Sequence, residues 1–323
     1  MAPTSTDTGA PRADVLGPPY VATTLALRPD DEGEVVATLV HRPARTTPTR
    51  RAVLHVHGFA DYFFQTGAAD FWCERGYDFY ALDLRKYGRS LLAHQTPNFV
   101  TDLTTYYEEL DAALAVVTAE HDHVLLSAHS TGGLTTPLWA SDRRLEVAGM
   151  VLNSPWLDMH GPAVMRNLAL PLLHRVGGYR ARLEVPRKVS GIYARSLHHE
   201  HEGEWEFDLA WKPLQSWPVY AGWLRAIRTG QARVAAGLDV RAPVLVLSST
   251  RSGRARSIDD PVVFSSDIVL DVDQIRRRAP MLGRHVTVAQ IEGAMHDVTL
   301  SRPEVRAVVF DEVARFLDAY VDR

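Results

Sequence analysis

The residues best equipped for chemistry surround Ser130, in the run Leu125-Leu126-Ser127-Ala128-His129-Ser130-Thr131-Gly132-Gly133. An apolar strand runs into a serine, then into glycines, then into a helix. That is the setting of a nucleophile elbow, where a tight turn lifts a hydroxyl above the end of a sheet. The turn crowds the positions two before and two after the serine, so both call for small residues, and Ala128 and Gly132 stand there. The plain alternative is a strand-to-helix turn with an incidental serine.

A serine hydroxyl is a poor nucleophile until a base is held within hydrogen-bond reach. His296, in Glu292-Gly293-Ala294-Met295-His296-Asp297, follows the last core strand and lies at the same sheet edge. The histidine in turn needs a carboxylate to fix its tautomer. Candidates between the preceding strand and His296 are Asp259, Asp260, Asp267, Asp271 and Asp273. Asp271 and Asp273 read as helix-start residues, where acids are favoured anyway, and Asp259 and Asp260 fall in a polar loop. Asp267, just ahead of that helix, is the choice, with Asp260 and Asp271 left open. The oxyanion of a tetrahedral intermediate needs two donors: the backbone N–H of Thr131, and that of Phe59 after His57-Gly58.

Elements that place these residues can be read from periodicity. Tyr20 to Leu27 and Glu34 to Val40 form a hairpin around the Asp-Asp-Glu-Gly turn. Ala52 to Val56, Tyr77 to Leu84, His123 to Ser127, Val147 to Leu152, Val244 to Leu247 and Val286 to Ile291 read as strands. Asp70 to Arg75, Asn98 to Glu120, Gly133 to Ala140, Asp271 to Ala279 and Pro303 to Tyr320 read as helical. Such alternation implies an α/β protein with a mostly parallel central sheet flanked by helices. The pattern breaks from residue 156 to 240, a stretch rich in Trp, His and Arg. We read residues 20–155 and 241–323 as one core, 156–240 as a helical lid inserted at the ligand-binding edge, and 1–19 as a loose leader.

Here a resemblance enters. The order serine, acid, histidine, the His57-Gly58-Phe59 turn, the segment Asp83-Leu84-Arg85-Lys86-Tyr87-Gly88-Arg89-Ser90, the elbow and Gly293-Ala294-Met295-His296 are similar to the α/β-hydrolase superfamily, in its monoacylglycerol-lipase-like and serine-aminopeptidase-like branch. The likeness spans most of Ala52 to Tyr320, strongest in the core and weak in the lid. It departs in having Ala128 where glycine is usual, and in the long stretch Thr250 to Ser266. Membership implies hydrolysis of carboxylic esters, with no cofactor and no metal. The same triad serves peptidases, lactonases and thioesterases, and a ligand-binding protein on a hydrolase scaffold is the rival from another class. Dehalogenases of this fold use an aspartate where Ser130 stands.

Bulk properties narrow the field further. The 323 residues carry a formal net charge of −4, with 46% hydrophobic and 23% charged side chains, which gives no support to nucleic-acid binding. One cysteine, Cys73, excludes an intrachain disulfide and reads as a buried thiol. No secretory signal and no apolar run near the length of a membrane helix is visible, which makes a cytoplasmic protein the default. His198-His199-Glu200-His201-Glu202 lacks metal-site spacing and reads as a solvated loop. Asp83-Leu84-Arg85 reads as a structural salt-bridged turn. Tyr62, Phe63 and Trp156 follow strand ends and are candidates to line a pocket for a small, hydrophobic ester.

Overall fold

The computed structural model describes residues 9–44, 48–159, 177–187 and 190–322. Among them, nine strands form one sheet: β1 (Arg12–Ala13), β2 (Val21–Asp30), β3 (Gly33–Arg42), β4 (Arg51–Val56), β5 (Asp78–Asp83), β6 (His123–His129), β7 (Gly149–Asn153), β8 (Val244–Ser249) and β9 (Val286–Ile291). Their spatial order is β1-β2-β3-β5-β4-β6-β7-β8-β9. The first three strands and β5 pair antiparallel, and every pairing from β5 through β4 to β9 is parallel. The helices are α1 (Thr66–Glu74), α2 (Tyr107–Thr118), α3 (Gly132–Arg143), the single turn α4 (Ile192–Arg195), α5 (Ala221–Ala236), α6 (Val272–Arg278) and α7 (Pro303–Tyr320). This is the α/β-hydrolase architecture.

The central strands are mostly apolar in their middles because both faces are covered. Successive side chains go to opposite sides. Leu54, Leu126 and Leu152 join one core with Leu110, Leu134, Trp139 and Ile227, from α2, α3 and α5. Their neighbours Val53, Leu125 and Val151 join a second core with Trp72, Val313, Phe316 and Leu317, from α1 and α7. Cys73 is buried in this second core, and burial pushes its thiol up to about 11. The aligned strand ends deliver Val56, His129 and Asn153 to one edge, and the site is built there.

Two boundaries differ from those read in the sequence. The helix read from Asn98 begins only at Leu103, as a short 3-10 turn, because the Asp102 side chain accepts the Thr104 N–H at 2.9 Å and caps it there. Part of the stretch read as a leader, residues 1–19, belongs to the fold. Arg12 and Ala13 pair with β2, and buried Asp14 accepts Arg89 Nε and Nη2 at 2.6 and 2.8 Å. The buried Arg89 guanidinium is shared between Asp14 and Asp83, an attraction across 75 residues that no local pattern reveals. Residues 1–8 lie outside the described residues.

Between β7 and β8 the described residues contain no strand of the sheet, only isolated bridges such as Glu184 with Tyr220. Residues 160–176 of this segment, and 188–189, lie outside the described residues. No helix among the described residues is long and apolar enough to cross a membrane.

Candidate active site

Ser130 stands between β6 and α3 with φ +51°, the left-handed region that non-glycine residues rarely enter. Three backbone hydrogen bonds hold it there. Its N–H donates to the Asn153 carbonyl at 3.0 Å, its carbonyl accepts the Trp156 N–H at 2.9 Å, and the Ser154 N–H donates to Leu247 at 2.8 Å, anchoring the neighbouring strand end. The requirement for a small residue is absolute at 132. A Cβ there would lie 2.4 Å from the His57 carbonyl oxygen and 2.6 Å from that of Val56, both backbone atoms of β4 or its end. At 128 the methyl is accommodated inside the packed sheet, and Ala128 is fully buried in register with Val56 and Leu152.

The three residues chosen from sequence meet. His296 Nε2 lies 3.1 Å from Ser130 Oγ, and His296 Nδ1 lies 2.9 Å from Asp267 Oδ2. All three are buried, Asp267 completely. The imidazole thus donates from Nδ1 to the carboxylate and presents Nε2 to the hydroxyl, the tautomer that proton abstraction requires. The second carboxylate oxygen of Asp267 accepts the N–H groups of Val269 and Leu270 at 2.8 and 2.7 Å. Burial alone would raise the Asp267 carboxyl, but His296 and these donors hold it below its ordinary value.

The long stretch from Thr250 to Ser266 does not displace the acid, because it closes on itself. The Asp267 N–H donates to the Arg251 carbonyl at 3.0 Å, and the Gly253 N–H donates to the Asp267 carbonyl at 2.8 Å. The chain leaves and rejoins at the same place beside β8. The rival acids serve local caps: Asp260 accepts the Val262 N–H and Asp271 the Asp273 N–H. Asp271 and Asp273 flank the start of α6 as helix-start residues.

Asn153 is the member that the sequence reading missed. Its carbonyl receives the Ser130 N–H, while its side chain donates to Asp297 at 2.6 Å and accepts the Val298 N–H at 3.1 Å. One residue at the end of β7 therefore ties the serine turn to the histidine loop. Asparagine at a strand end carries no signal of this in sequence. His129 lies beside them, its ring 4.8 Å from that of His296, and burial lowers its pKa, which disfavours a second positive charge next to the imidazole.

The loop bearing Phe59 is pinned as well. His57 Nε2 accepts the Leu84 N–H at 3.0 Å, leaving Nδ1 to donate to the Gly58 carbonyl at 2.8 Å. The Ala60 N–H donates to Asn98 Oδ1 at 3.2 Å. Phe59 and Thr131 flank Ser130 in the lining of one cavity of about 580 Å³. Its apolar wall includes Phe59, Trp156, Trp223 and Leu224, with the Phe59 and Trp223 rings 4.3 Å apart. Its polar lining includes Asp61, Lys212, Tyr193 and His296. Tyr193 packs edge-on against the His296 ring at 5.5 Å, and its hydroxyl accepts the Asp297 N–H at 3.0 Å.

Of the three aromatic residues expected to line the pocket, Trp156 does so and Tyr62 and Phe63 do not. The Phe63 N–H is fixed by Asp83 Oδ1 at 2.9 Å, which turns its ring down among Phe79 and Tyr20 in the second core. Tyr62 lies beneath Trp211 and accepts the Asp208 N–H at 2.7 Å. The expectation of a solvated loop at 198–202 holds for His199 to Glu202 but not for His198, which is buried with Nε2 bonded to the Phe207 carbonyl at 3.1 Å. Among the described residues, no group of three or more His, Cys, Asp or Glu side chains is placed to hold a metal ion.

The sequence profile of the serine aminopeptidase S33 hydrolases matches residues 47–301, most of the chain. The protein belongs to that family. No protein of curated function matches its sequence. Among solved structures it is similar in fold to a soluble variant of monoglyceride lipase from Saccharomyces cerevisiae in complex with a substrate analog, at 15% identity over 99% of this chain and 100% of that one, TM-score 0.64. It is similar to monoacylglycerol lipase of Paleococcus ferrophilus, at 19% identity over 87% and 98%, TM-score 0.64. A third is a thermostable carboxyl esterase from Bacillus coagulans in complex with glycerol, at 14% identity over 93% and 99%, TM-score 0.62. At such identities the likeness concerns the fold. The S33 hydrolase assignment rests on the family match.

Proposed function

We propose that this S33-family protein is a serine hydrolase that cleaves a carboxylic ester through an acyl-enzyme. The observation that carries the reading is the unbroken chain of hydrogen bonds from Asp267 through His296 to Ser130, opening into a largely apolar cavity. His296 takes the Ser130 proton as Oγ attacks the ester carbonyl. The N–H groups of Phe59 and Thr131 hold the oxyanion, and Asp267 stabilises the imidazolium. His296 then protonates the departing alcohol, and water, activated by the same imidazole, releases the acid and restores Ser130. The segment between β7 and β8 acts as the lid, supplying Trp223, Leu224 and Lys212 to the cavity.

An ester fits this cavity better than the N-terminus of a peptide. An aminopeptidase needs a free carboxylate for the substrate ammonium. Asp61 is the one carboxylate in the described lining, and it is already neutralised by Lys212 at 2.8 Å. The test combines two variants. Ser130→Ala should abolish covalent labelling by a fluorophosphonate and all turnover of p-nitrophenyl butyrate. Asp267→Asn should keep the fold and lower kcat by about 10³- to 10⁴-fold, because the imidazole loses its tautomer. Labelling retained in Ser130→Ala would refute the nucleophile, and near-normal turnover in Asp267→Asn would refute the acid.

A further inference from the structure

The cavity above Ser130 is lined by one charged side chain that has no ionic partner among the described residues. Its described lining holds three ionic side chains besides the histidines: Asp61, Lys212 and Arg187. Asp61 and Lys212 cancel each other. Arg187 has no carboxylate partner among the described residues. Desolvation lowers its pKa, with no acidic neighbour to raise it.

What Arg187 does have is an anchor. Nη2 donates to Ser216 Oγ at 3.0 Å and to the Trp217 carbonyl at 2.5 Å. The anchoring turn is itself tight: the Ser216 N–H closes on the Pro213 carbonyl at 2.8 Å, and Ser216 holds φ +61°. Both bonds use the same nitrogen. The Nε and Nη1 edge makes no hydrogen bond to a described residue. A guanidinium fixed at one corner, with donors to spare, is preorganised to grip an oxyanion.

The position of that edge says which part of a substrate it meets. The Arg187 guanidinium carbon lies 5.5 Å from the centre of the Phe59 ring, and the Phe59 ring packs tilted against Trp223. Arg187 therefore belongs to the apolar wall. His296 and Tyr193 line the same cavity and pack against each other, their rings 5.5 Å apart. Because His296 protonates the leaving alcohol, we place the alcohol at His296 and the acyl group against the Phe59 and Trp223 rings. We propose that Arg187 binds an anionic group at the distal end of the acyl chain, so that the substrates are esters whose acyl portion is apolar and ends in a carboxylate or a phosphate. This inference deepens the ester-hydrolase reading and rests on it for the direction of the acyl chain.

The experiment compares p-nitrophenyl monoesters of dicarboxylic acids, over a series of chain lengths, with p-nitrophenyl alkanoates of matching length, and adds an acyl series ending in phosphate. The wild-type protein should prefer a charged member of one length. In Arg187→Gln the ratio of kcat/KM, charged over neutral, should fall about tenfold or more, as expected for a lost charge-assisted hydrogen bond. Arg187→Lys should recover part of it. Whichever anionic series shows the larger Arg187-dependent ratio identifies the source of the anion. A second arm needs no turnover. Ser130→Ala should bind the monomethyl ester of the preferred dicarboxylic acid, by calorimetry, more tightly than the matching methyl alkanoate, and adding Arg187→Gln should remove that difference. An unchanged ratio in Arg187→Gln, or equal binding of the two ligands by Ser130→Ala, overturns the proposal. If no ester is cleaved by the wild-type protein while the Ser130→Ala binding difference stands, the ester chemistry fails and the anion site survives.

Discussion

Lys212→Met isolates the ion pair that joins the segment between β7 and β8 to the core. Lys212 Nζ lies 2.8 Å from Asp61 Oδ1, and the two side chains are 10% and 4% exposed. At that burial the pair is outside the regime of surface ion pairs, which contribute about 0 to 1 kcal/mol. The Asp61 carboxyl feels burial, which would raise it, against Lys212, which wins and holds it down to about 2. Relative to the ordinary aspartate value, this depression corresponds to about 2 kcal/mol of stability at neutral pH. The sign follows from protons bound: the unfolded chain takes up its proton first, so the contribution is full above the unfolded value and is lost as pH falls towards 2. Lys212→Met removes the partner and leaves a carboxylate in the dark, for which a loss of about 3 to 5 kcal/mol is expected. Adding Asp61→Asn deletes the stranded charge, so the double variant should be more stable than Lys212→Met alone. Equilibrium urea unfolding of the four proteins at pH 7 measures both terms. The reasoning fails if Lys212→Met lies within about 0.5 kcal/mol of wild type, or if the double variant is no more stable than the single one.

Two further outcomes follow from the same structure. Gly132→Ala should destabilise the protein by about 3 kcal/mol or more, or prevent folding, because the added methyl meets the backbone oxygens of His57 and Val56; a urea midpoint equal to wild type would contradict the close approach. Burial pushes the His55 imidazole down to about 4, so its contribution to stability is complete above the unfolded value of about 6.5 and is lost as pH falls towards 4, by about 3 kcal/mol; His55→Asn should flatten that part of the stability profile, and an unaltered slope between pH 7 and 4.5 would count against it.

The sheet and the three polar residues at its edge were legible in sequence because short-range rules govern them. A brief run stopped by His57-Gly58 marked β4, short apolar runs alternating with helical periods marked β6 and β7, and a serine between Ala128 and Gly132 could be placed at a turn by sterics alone. Chain order then left few candidates for the base and the acid. What was not legible depends on pairings between distant residues. Asp14 looks like part of a polar leader until Arg89 is seen against it. Phe63 looks like a pocket residue until the Asp83 carboxylate fixes its N–H and turns the ring inward. Lys212, Arg187 and Asn153 have ordinary neighbours in sequence, and only the fold brings them to the cavity or to the strand end that matters.

The two departures from the family pattern show which demands of this site are strict. A methyl at 128 stands beside Val56 and Leu152 on one face of the sheet, in the first core, where packing absorbs it, whereas a methyl at 132 would strike the backbone of the neighbouring strand end, which has nowhere to go without opening the sheet. The long excursion between Arg251 and Asp267 is tolerated for a related reason. Loop length enters the free energy only slowly once the ends are joined, and here they are joined by two backbone hydrogen bonds that return Asp267 to β8 whatever lies between. Catalytic geometry in this protein is thus set by backbone contacts at the ends of β4, β6, β7 and β8. Arg187 and Trp223, which we propose grade substrates, lie between β7 and β8 and take no part in those contacts. Variation there should alter which ester is cleaved, while the hydrogen bonds from Asp267 to Ser130 stay as they are.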